Sequence, residues 1–282
     1  MLRDPVADNL TAGPSFDTVA VRGVRFASLT ERQTIELMFT GLDRGRGGWV
    51  VTSNLDHLRR ATRDDEFRTM LERADAVVAD GMPIVWAARL AGTPLPERVA
   101  GSTMTTDVAA TAAERGRSVF LLGGNPGVAE AARAVLEADY PGLRVVGTHC
   151  PPLGFERSES EMAALRDALK ATEPDLVLVA LGSPKQEKLI RDLRSAGVLP
   201  GAWRIGVGIT LSFLAGDVSR APAWMQRIGM EWIHRLTQEP KRLFRRYLIE
   251  GVPFALGLLL RSVMIRLTGK RVPEPAVCGG KD

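Results

Sequence analysis

The chain has 282 residues, 45% of them apolar and 25% charged, with 28 Gly and 17 Pro. These values suit one large or two small globular domains and exclude a disordered, collagen-like or disulfide-scaffold protein. The net charge of +4 hides an asymmetry: residues 220–271 hold 11 Lys/Arg against 3 Asp/Glu, and the remainder 26 against 30. A mildly acidic body therefore carries a basic C-terminal segment, which calls for an anionic partner such as phosphate, nucleic acid or an acidic membrane surface.

In chain order, Met1–Ser15 carries charges and prolines without an apolar centre, so it reads as a lead-in and not as a secretory signal. Trp49–Ser53 is β-branched and apolar, a buried strand. Residues 54–74 read as one helix, Ala76–Asp80 as a short strand and Met82–Ala91 as a short helix. Thr103–Arg115 reads as a helix capped by Ser102 or Thr103. Ser118–Gly124 is a strand, with Pro126 opening the next helix. Leu143–Gly147 is a strand, and Ser158–Thr172 a helix capped by Ser158. Asp175–Gly182 is a buried strand, Pro184–Ser195 a helix and Trp203–Ile209 the last strand. This alternation predicts right-handed crossovers and an α/β fold with a mainly parallel sheet covered on both faces.

After Arg220 the pattern changes. Trp224–Gln238 and Lys241–Glu250 read as consecutive helices with Pro240 near the start of the second, and Val252–Leu267 as a last one. The longest apolar run is Gly251–Leu260. Ten residues are fewer than the roughly 20 that span a bilayer, so a non-spanning, cytoplasmic chain is expected.

Ligands of open α/β sheets gather beyond the C-terminal strand ends, so polar residues there are the candidates. Thr52, Ser53 and Asn54 follow the first strand, as sugar-facing groups or as a helix cap. Asp80-Gly81 ends the next strand, as a general base or as a simple turn. Gly123 and Gly124 open GGNPG, as a phosphate cradle or as a tight turn. Gln186 lies in GSPKQE, in a ligand site or at a solvated helix start. Cys150 and Cys278 are far apart without CxxC and read as free thiols, and His57, His149 and His234 are spaced too widely for a metal cluster.

The stretches VTSNLDHLRRA, ADAVVADGMPIVWAARLAG, PLPERVAGS, LGSPKQEKLI and LAGDVSRAPAWMQRIGMEWIHRLTQEPKRLFRRYL resemble the WecG/TagA/CpsF glycosyltransferases from about Val24 to Leu248. The resemblance implies a Rossmann-like α/β core with a C-terminal helical basic appendage. The expected organisation is a disordered lead-in 1–18, a transferase core 19–217 and a membrane-associating appendage 218–282. The implied activity is inverting transfer of a hexosyl, N-acetylhexosaminyl or mannosaminyl group. The donor would be a nucleotide-sugar such as a UDP-sugar and the acceptor a polyprenyl-diphosphate-linked saccharide, in teichoic acid, capsule or exopolysaccharide synthesis. The enzyme would lie peripherally on the inner face of the plasma membrane, without nucleic acid, and could form a homo-oligomer.

By motif, the resemblance makes Asp80 the base. It places Thr52, Asn54, Arg98 and Gln186 with the substrate, and Arg235, Arg242 and Arg245 on the lipid diphosphate or leaving group. No Asp-x-Asp follows a strand, so cationic side chains in place of a metal cofactor are expected to hold the leaving group. One departure stands out: GVGITLSFLAG has Leu211-Ser212 where the family is expected to carry an aromatic–acidic pair, which predicts an altered pocket. Two other readings compete: a dinucleotide-dependent oxidoreductase, resting on GGNPG alone, and a non-catalytic basic binding module.

Overall fold

A computed structural model describes residues 16–269 of the chain. Residues 1–15 of the expected lead-in and Cys278 lie outside them, and Thr18 already belongs to the first strand.

β1 (Thr18–Val21) and β2 (Val24–Ala27) form an antiparallel hairpin closed by Arg22 and Gly23, both at positive φ. Helix α1 (Glu31–Asp43) starts in a capping box between Thr30 and Gln33. The second sheet then begins with β3 (Gly48–Ser53), followed by α2 (Leu55–Ala61), α3 (Asp65–Glu72), β4 (Ala76–Ala79) and α4 (Met82–Leu90). The single helix expected over 54–74 is two. Asp64 accepts a hydrogen bond from the Phe67 N–H and starts a new helix after the turn at Thr62-Arg63.

Next come α5 (Gly101–Glu114), β5 (Ser118–Gly123), α6 (Val128–Asp139), β6 (Arg144–His149), α7 (Glu159–Thr172), β7 (Leu176–Ala180), α8 (Lys185–Ser195), β8 (Trp203–Gly206) and α9 (Thr210–Leu214). Two expected starts move. Helix α5 begins at Gly101 with no side-chain cap, so Ser102 and Thr103 lie inside it. Helix α6 begins after Gly127, whose φ of +84° leaves Pro126 in the preceding turn and not at the first helical position. Ser158 caps α7 as expected, accepting from the Glu161 N–H.

The six strands of this sheet are all parallel, in the order β4-β3-β8-β7-β5-β6. Every residue of β3, β4, β5, β7 and β8 is buried, as expected of a parallel sheet covered on both faces. One core layer joins α2, α3, α4, α7 and α8 to the sheet through residues such as Leu58, Phe67, Ile84, Leu165 and Ile190. The other joins α1, α5, α6 and α9 through Met38, Phe39, Met104, Leu136 and Leu211. Packing is tight where β3 meets β8: a methyl group on Gly48 would stand 2.6 Å from the Trp203 ring.

Beyond the sheet lie α10 (Ala223–Arg227), α11 (Glu231–Gln238) and a 29-residue helix α12 (Pro240–Thr268). The helix expected over 224–238 is broken at Gly229, which has a φ of +74° and packs on Met82. Conversely, the two helices expected after Pro240 are one. A wider-wound segment, Arg245–Gly251, carries the chain through Gly251 without a stop. Helix α12 is long and apolar enough to cross a membrane by length and composition, a longer apolar element than the ten-residue run indicates. The run is broken by Arg261 in sequence, but the helix continues through it.

Candidate active site

A cavity of about 490 Å³ opens beyond the C-terminal ends of β4, β3, β8 and β7 and under the last two helices. Its floor is polar. Thr52, next to last in β3, donates its hydroxyl to the Gly206 carbonyl at 3.3 Å. Asn54 caps α2, its Oδ1 accepting from the backbone N–H of Asp56 and His57. Gln186, in the first turn of α8, is buried, and its Oε1 accepts from the Gly208 N–H at 3.1 Å. This is the residue density that the β-strand ends dictate: three short connections converge where the parallel strands stop.

Asp80 stands at the tip of β4. Its backbone N–H donates to the Ser53 carbonyl, and its Oδ2 accepts from the Gly101 N–H at the start of α5, at 3.3 Å. Burial pushes its carboxyl up from the ordinary aspartate range. The Arg98 charge and the Gly101 hydrogen bond work against that rise, and the Glu231 charge adds to it. Arg98 lies 3.9 Å from Glu231 of α11, so the appendage supplies a second carboxylate beside the first. A carboxylate held in low dielectric with one cation nearby is ready to take up a proton.

Four predicted site residues of the core, Thr52, Asn54, Asp80 and Gln186, therefore meet at one cavity, joined by Arg98. The arginines divide. Arg235 lines the cavity. Arg242 and Arg245 do not; their side chains are 61% and 82% exposed, paired with Glu239 and Glu250. Pro240 starts a new helix between Arg235 and the other two, so the three do not share a face. Arg246 and, from α2, Arg59 take the inward places. Arg59 pairs with Asp56 at 2.9 Å and Glu250 at 2.8 Å, and Arg246 with Asp56 at 2.9 Å. In Arg59, Arg235 and Arg246 the Nε–H is buried and meets no acceptor among the described residues. Donors left over after the ion pairs are formed suit an anionic ligand.

Gly123 and Gly124 lie outside the cavity wall. Both have positive φ, and a Cβ on Gly123 would stand 2.6 Å from the Ala180 carbonyl oxygen. The segment is thus a tight strand-to-helix turn packed on β7, and the oxidoreductase reading loses its support. Leu211 and Ser212 are buried and also off the wall, while Thr210 and Phe213 of α9 reach it.

Sequence reasoning passed over His57, Arg59, Trp86, Glu187, Glu231, Trp232, Arg246 and Tyr247. Two signals were there to be used: the His at the third position of the helix that Asn54 caps, and a Glu next to the buried Gln in KQE. The opposite wall is apolar, built by Met82 and Trp86 of α4 and Val252, Ala255, Leu256 and Leu259 of α12. Trp232 and Tyr247 meet edge-on at 6.1 Å between the two halves. Among the described residues no three His, Cys, Asp or Glu side chains are grouped to hold a metal ion.

A cleft with a proton acceptor on one side and unpartnered guanidinium N–H groups on the other suits the transfer of a group away from an anionic leaving group. Residues 19–268 match the Glycosyl transferase WecG/TagA/CpsF family, and the chain belongs to that family of glycosyltransferases. The match runs past Leu248 to the end of α12. The chain is 32% identical over 209 residues to the N-acetylglucosaminyldiphosphoundecaprenol N-acetyl-beta-D-mannosaminyltransferase of Bacillus spizizenii, an overlap of 74% of this chain and 78% of that protein.

Proposed function

We propose that this enzyme transfers an N-acetylhexosamine, such as N-acetylmannosamine, from a UDP-sugar to a polyprenyl-diphosphate-linked saccharide with inversion at the anomeric carbon. The observation that carries the reading is Asp80, a buried carboxylate at a strand tip facing the cavity. The acceptor hydroxyl attacks C1 of the donor sugar as its proton passes to Asp80. The bond from C1 to the phosphate oxygen breaks, and its electron pair leaves with the nucleoside diphosphate. Thr52, Asn54 and Gln186 hold the sugar, and Arg98 keeps Asp80 ionised until attack. The developing diphosphate charge, or that of the lipid carrier, falls to Arg59, Arg235 and Arg246. Their forked donors match its oxygens, so the chemistry proceeds without a metal cofactor.

The apolar wall supports a lipid acceptor. Leu256, Leu260, Met264 and Leu267 of α12 are exposed, as are Trp224 and Ile228 before it. One side of α12 is committed to protein, with Leu258 and Ser262 buried and Val252, Ala255 and Leu259 walling the cavity. A helix that closes an aqueous cleft cannot also be wrapped in lipid, so α12 lies along the inner face of the plasma membrane with its free side in the acyl boundary. Basic residues near an anionic surface add about 1 kcal/mol each, screened by salt.

The test is a donor screen with purified protein: several UDP-sugars, a short polyprenyl-diphosphate saccharide, product mass and the NMR coupling of the new linkage. One UDP-N-acetylhexosamine giving a product of inverted configuration is the expected result. No transfer from any UDP-sugar, or retained configuration, refutes the reading. Unchanged turnover in EDTA is expected for the metal-free route.

A further inference from the structure

Glu187 is 1% exposed and is not part of the cavity wall, yet it touches two side chains that depend on it. Its Oε1 accepts from Gln186 Nε2 at 2.8 Å and faces His57 Nε2 at 3.1 Å. His57 is also buried, tilted against the Phe67 ring. Its other nitrogen, Nδ1, stands 2.9 Å from Asn54 Oδ1, closer than the 3.4 Å to the Asn54 backbone nitrogen. Asn54 Oδ1 also receives the N–H groups of Asp56 at 3.0 Å and His57 at 3.2 Å.

These contacts settle how both amides point. A carbonyl oxygen has two lone pairs. The backbone N–H groups of Asp56 and His57 occupy both on Asn54 Oδ1, so that end of the amide is fully engaged inside the protein. The end left for the cavity is Nδ2, which has no protein partner among the described residues. Gln186 is fixed in the same way, with Nε2 on Glu187 and Oε1 on the Gly208 N–H. Burial works against the Glu187 charge, but the hydrogen bond and charge of His57 and the bond from Gln186 outweigh it, and its carboxyl lies below the ordinary glutamate range.

We infer that Glu187 is a positioning residue for this site: through His57, which meets both Glu187 and the Asn54 backbone N–H, it holds the capping box that leaves the Asn54 amide N–H toward the ligand, and directly it locks the Gln186 amide. An amide turned by 180° would present a carbonyl oxygen where a donor is required, placing two acceptors against each other. The ligand group that meets Asn54 is therefore an acceptor, a sugar hydroxyl or carbonyl oxygen or a phosphate oxygen. A buried carboxylate is costly to retain for stability alone, and this one lies one side chain behind each of two groups that face the cavity. The inference rests on the transferase reading above for its kinetic arm only.

The test uses the full chain and the variants Glu187→Gln, His57→Gln and the pair Asn54→Ala/Gln186→Ala. Glu187→Gln keeps the shape and removes the fixed acceptor. Turnover is expected to fall about 10- to 100-fold with the melting temperature within a few degrees of wild type. In the Asn54→Ala/Gln186→Ala background the same substitution is expected to cost less than threefold, because the amides it orients are gone. A further tenfold loss in that background, or wild-type turnover in Glu187→Gln, overturns the inference. His57→Gln breaks the bridge with Glu187 retained and is expected to reproduce the loss; it serves the same cycle if Glu187→Gln does not fold. A second readout needs no substrate. In spectra of protein labelled with 15N at Asn and Gln side chains, the Asn54 NH2 pair, assigned by its disappearance in Asn54→Ala, is expected to move in Glu187→Gln and His57→Gln. Unmoved lines overturn the inference even if no sugar is transferred, whereas moved lines with an inactive wild type overturn only the transferase reading.

Discussion

Replacing Asp80 by Asn separates its chemistry from its place in the fold. The asparagine oxygen still accepts the Gly101 N–H that now lies 3.3 Å from Oδ2, so the strand tip keeps its shape. What goes is the proton acceptor. Loss of a general base costs about 10²–10⁴ in rate, which at ~1.36 kcal/mol per tenfold is ~2.7–5.5 kcal/mol of barrier. Stability should move the other way. The folded carboxyl is raised above its unfolded value, chiefly by burial, so the protonated form is favoured in the fold. Its contribution is favourable below the ordinary aspartate range and is lost as pH rises through the folded value; above that the charge is a standing cost, which the neutral amide removes. A gain of ~1 kcal/mol would lift the melting temperature by about 2 °C in a chain of this size. The assays are transfer kinetics and thermal unfolding of Asp80→Asn and wild type at pH 7.5. On the acid side, wild-type kcat should rise with pH, with a midpoint above that of an ordinary aspartate. Turnover within threefold of wild type in the variant refutes the role of Asp80 as base. Unchanged turnover with a lower melting temperature would make the carboxylate a structural cap on α5.

The inward arginines should matter more than the outward one: Arg59→Ala and Arg246→Ala should each lower kcat/KM at least tenfold, the scale of ~1.5–3 kcal/mol for a charged hydrogen bond, and Arg245→Ala less than threefold, all read by steady-state transfer. Glu31 at the start of α1 has its carboxyl raised to about 8 by burial, by hydrogen bond and charge from Asp107, and by the charges of Glu97 and Asp80. Its ionisation costs stability as pH climbs toward that value, so Glu31→Gln should raise the melting temperature at pH 8.5 and leave it unchanged at pH 4; the gain stays well below ~1.4 kcal/mol per unit because the side chain is half exposed to solvent screening. Gly48→Ala should destabilise by ~1–3 kcal/mol in urea unfolding, since its Cβ would stand 2.6 Å from the Trp203 ring. Deleting residues 240–282 should release the protein from anionic vesicles in flotation at low salt, whereas deletion protein that still floats would place the membrane contact elsewhere.

The sheet was legible because each parallel strand is buried on both faces and so appears as an unbroken apolar run between helices. Asp80, Asn54 and Gln186 were legible because the parallel topology forces the residues after such strands toward one crevice. Glu187 was not, because its work is done one side chain behind the cavity, and neither was His57, which lines the wall and shows its role only where it meets Glu187. Nothing in the spacing of KQE or NLDH tells a buried acceptor from a solvated one; only the packing of α2 against α8 brings positions 57 and 187 within 3.1 Å. The arginines misled for a related reason. They were assigned by motif, which does not tell which arginine of a consecutive pair turns inward: Arg246 lines the cavity, while Arg245 pairs outward with Glu250.

The C-terminal helix shows how a run-length rule and a helical reading part company. Counting consecutive apolar residues stops at Arg261, but on a helix that side chain need only point away from the buried line of Leu258 and Ser262 for the apolar surface to continue on either side of it. In α12 that surface is split: one strip, with Val252, Ala255, Leu256 and Leu259, closes the cavity beside Trp86, and the other, through Leu260, Met264 and Leu267, faces outward. Because the two strips belong to one rigid element, anything that seats the outer strip also sets the inner wall. Arg59 and Arg246 tie that wall to α2 through Asp56 and Glu250, so the groups poised for an anionic ligand are the same ones that latch the helix. A diphosphate entering the cavity must compete with Asp56 and Glu250 for those guanidinium groups, and a bilayer holding the outer strip would keep the helix in place while it does so.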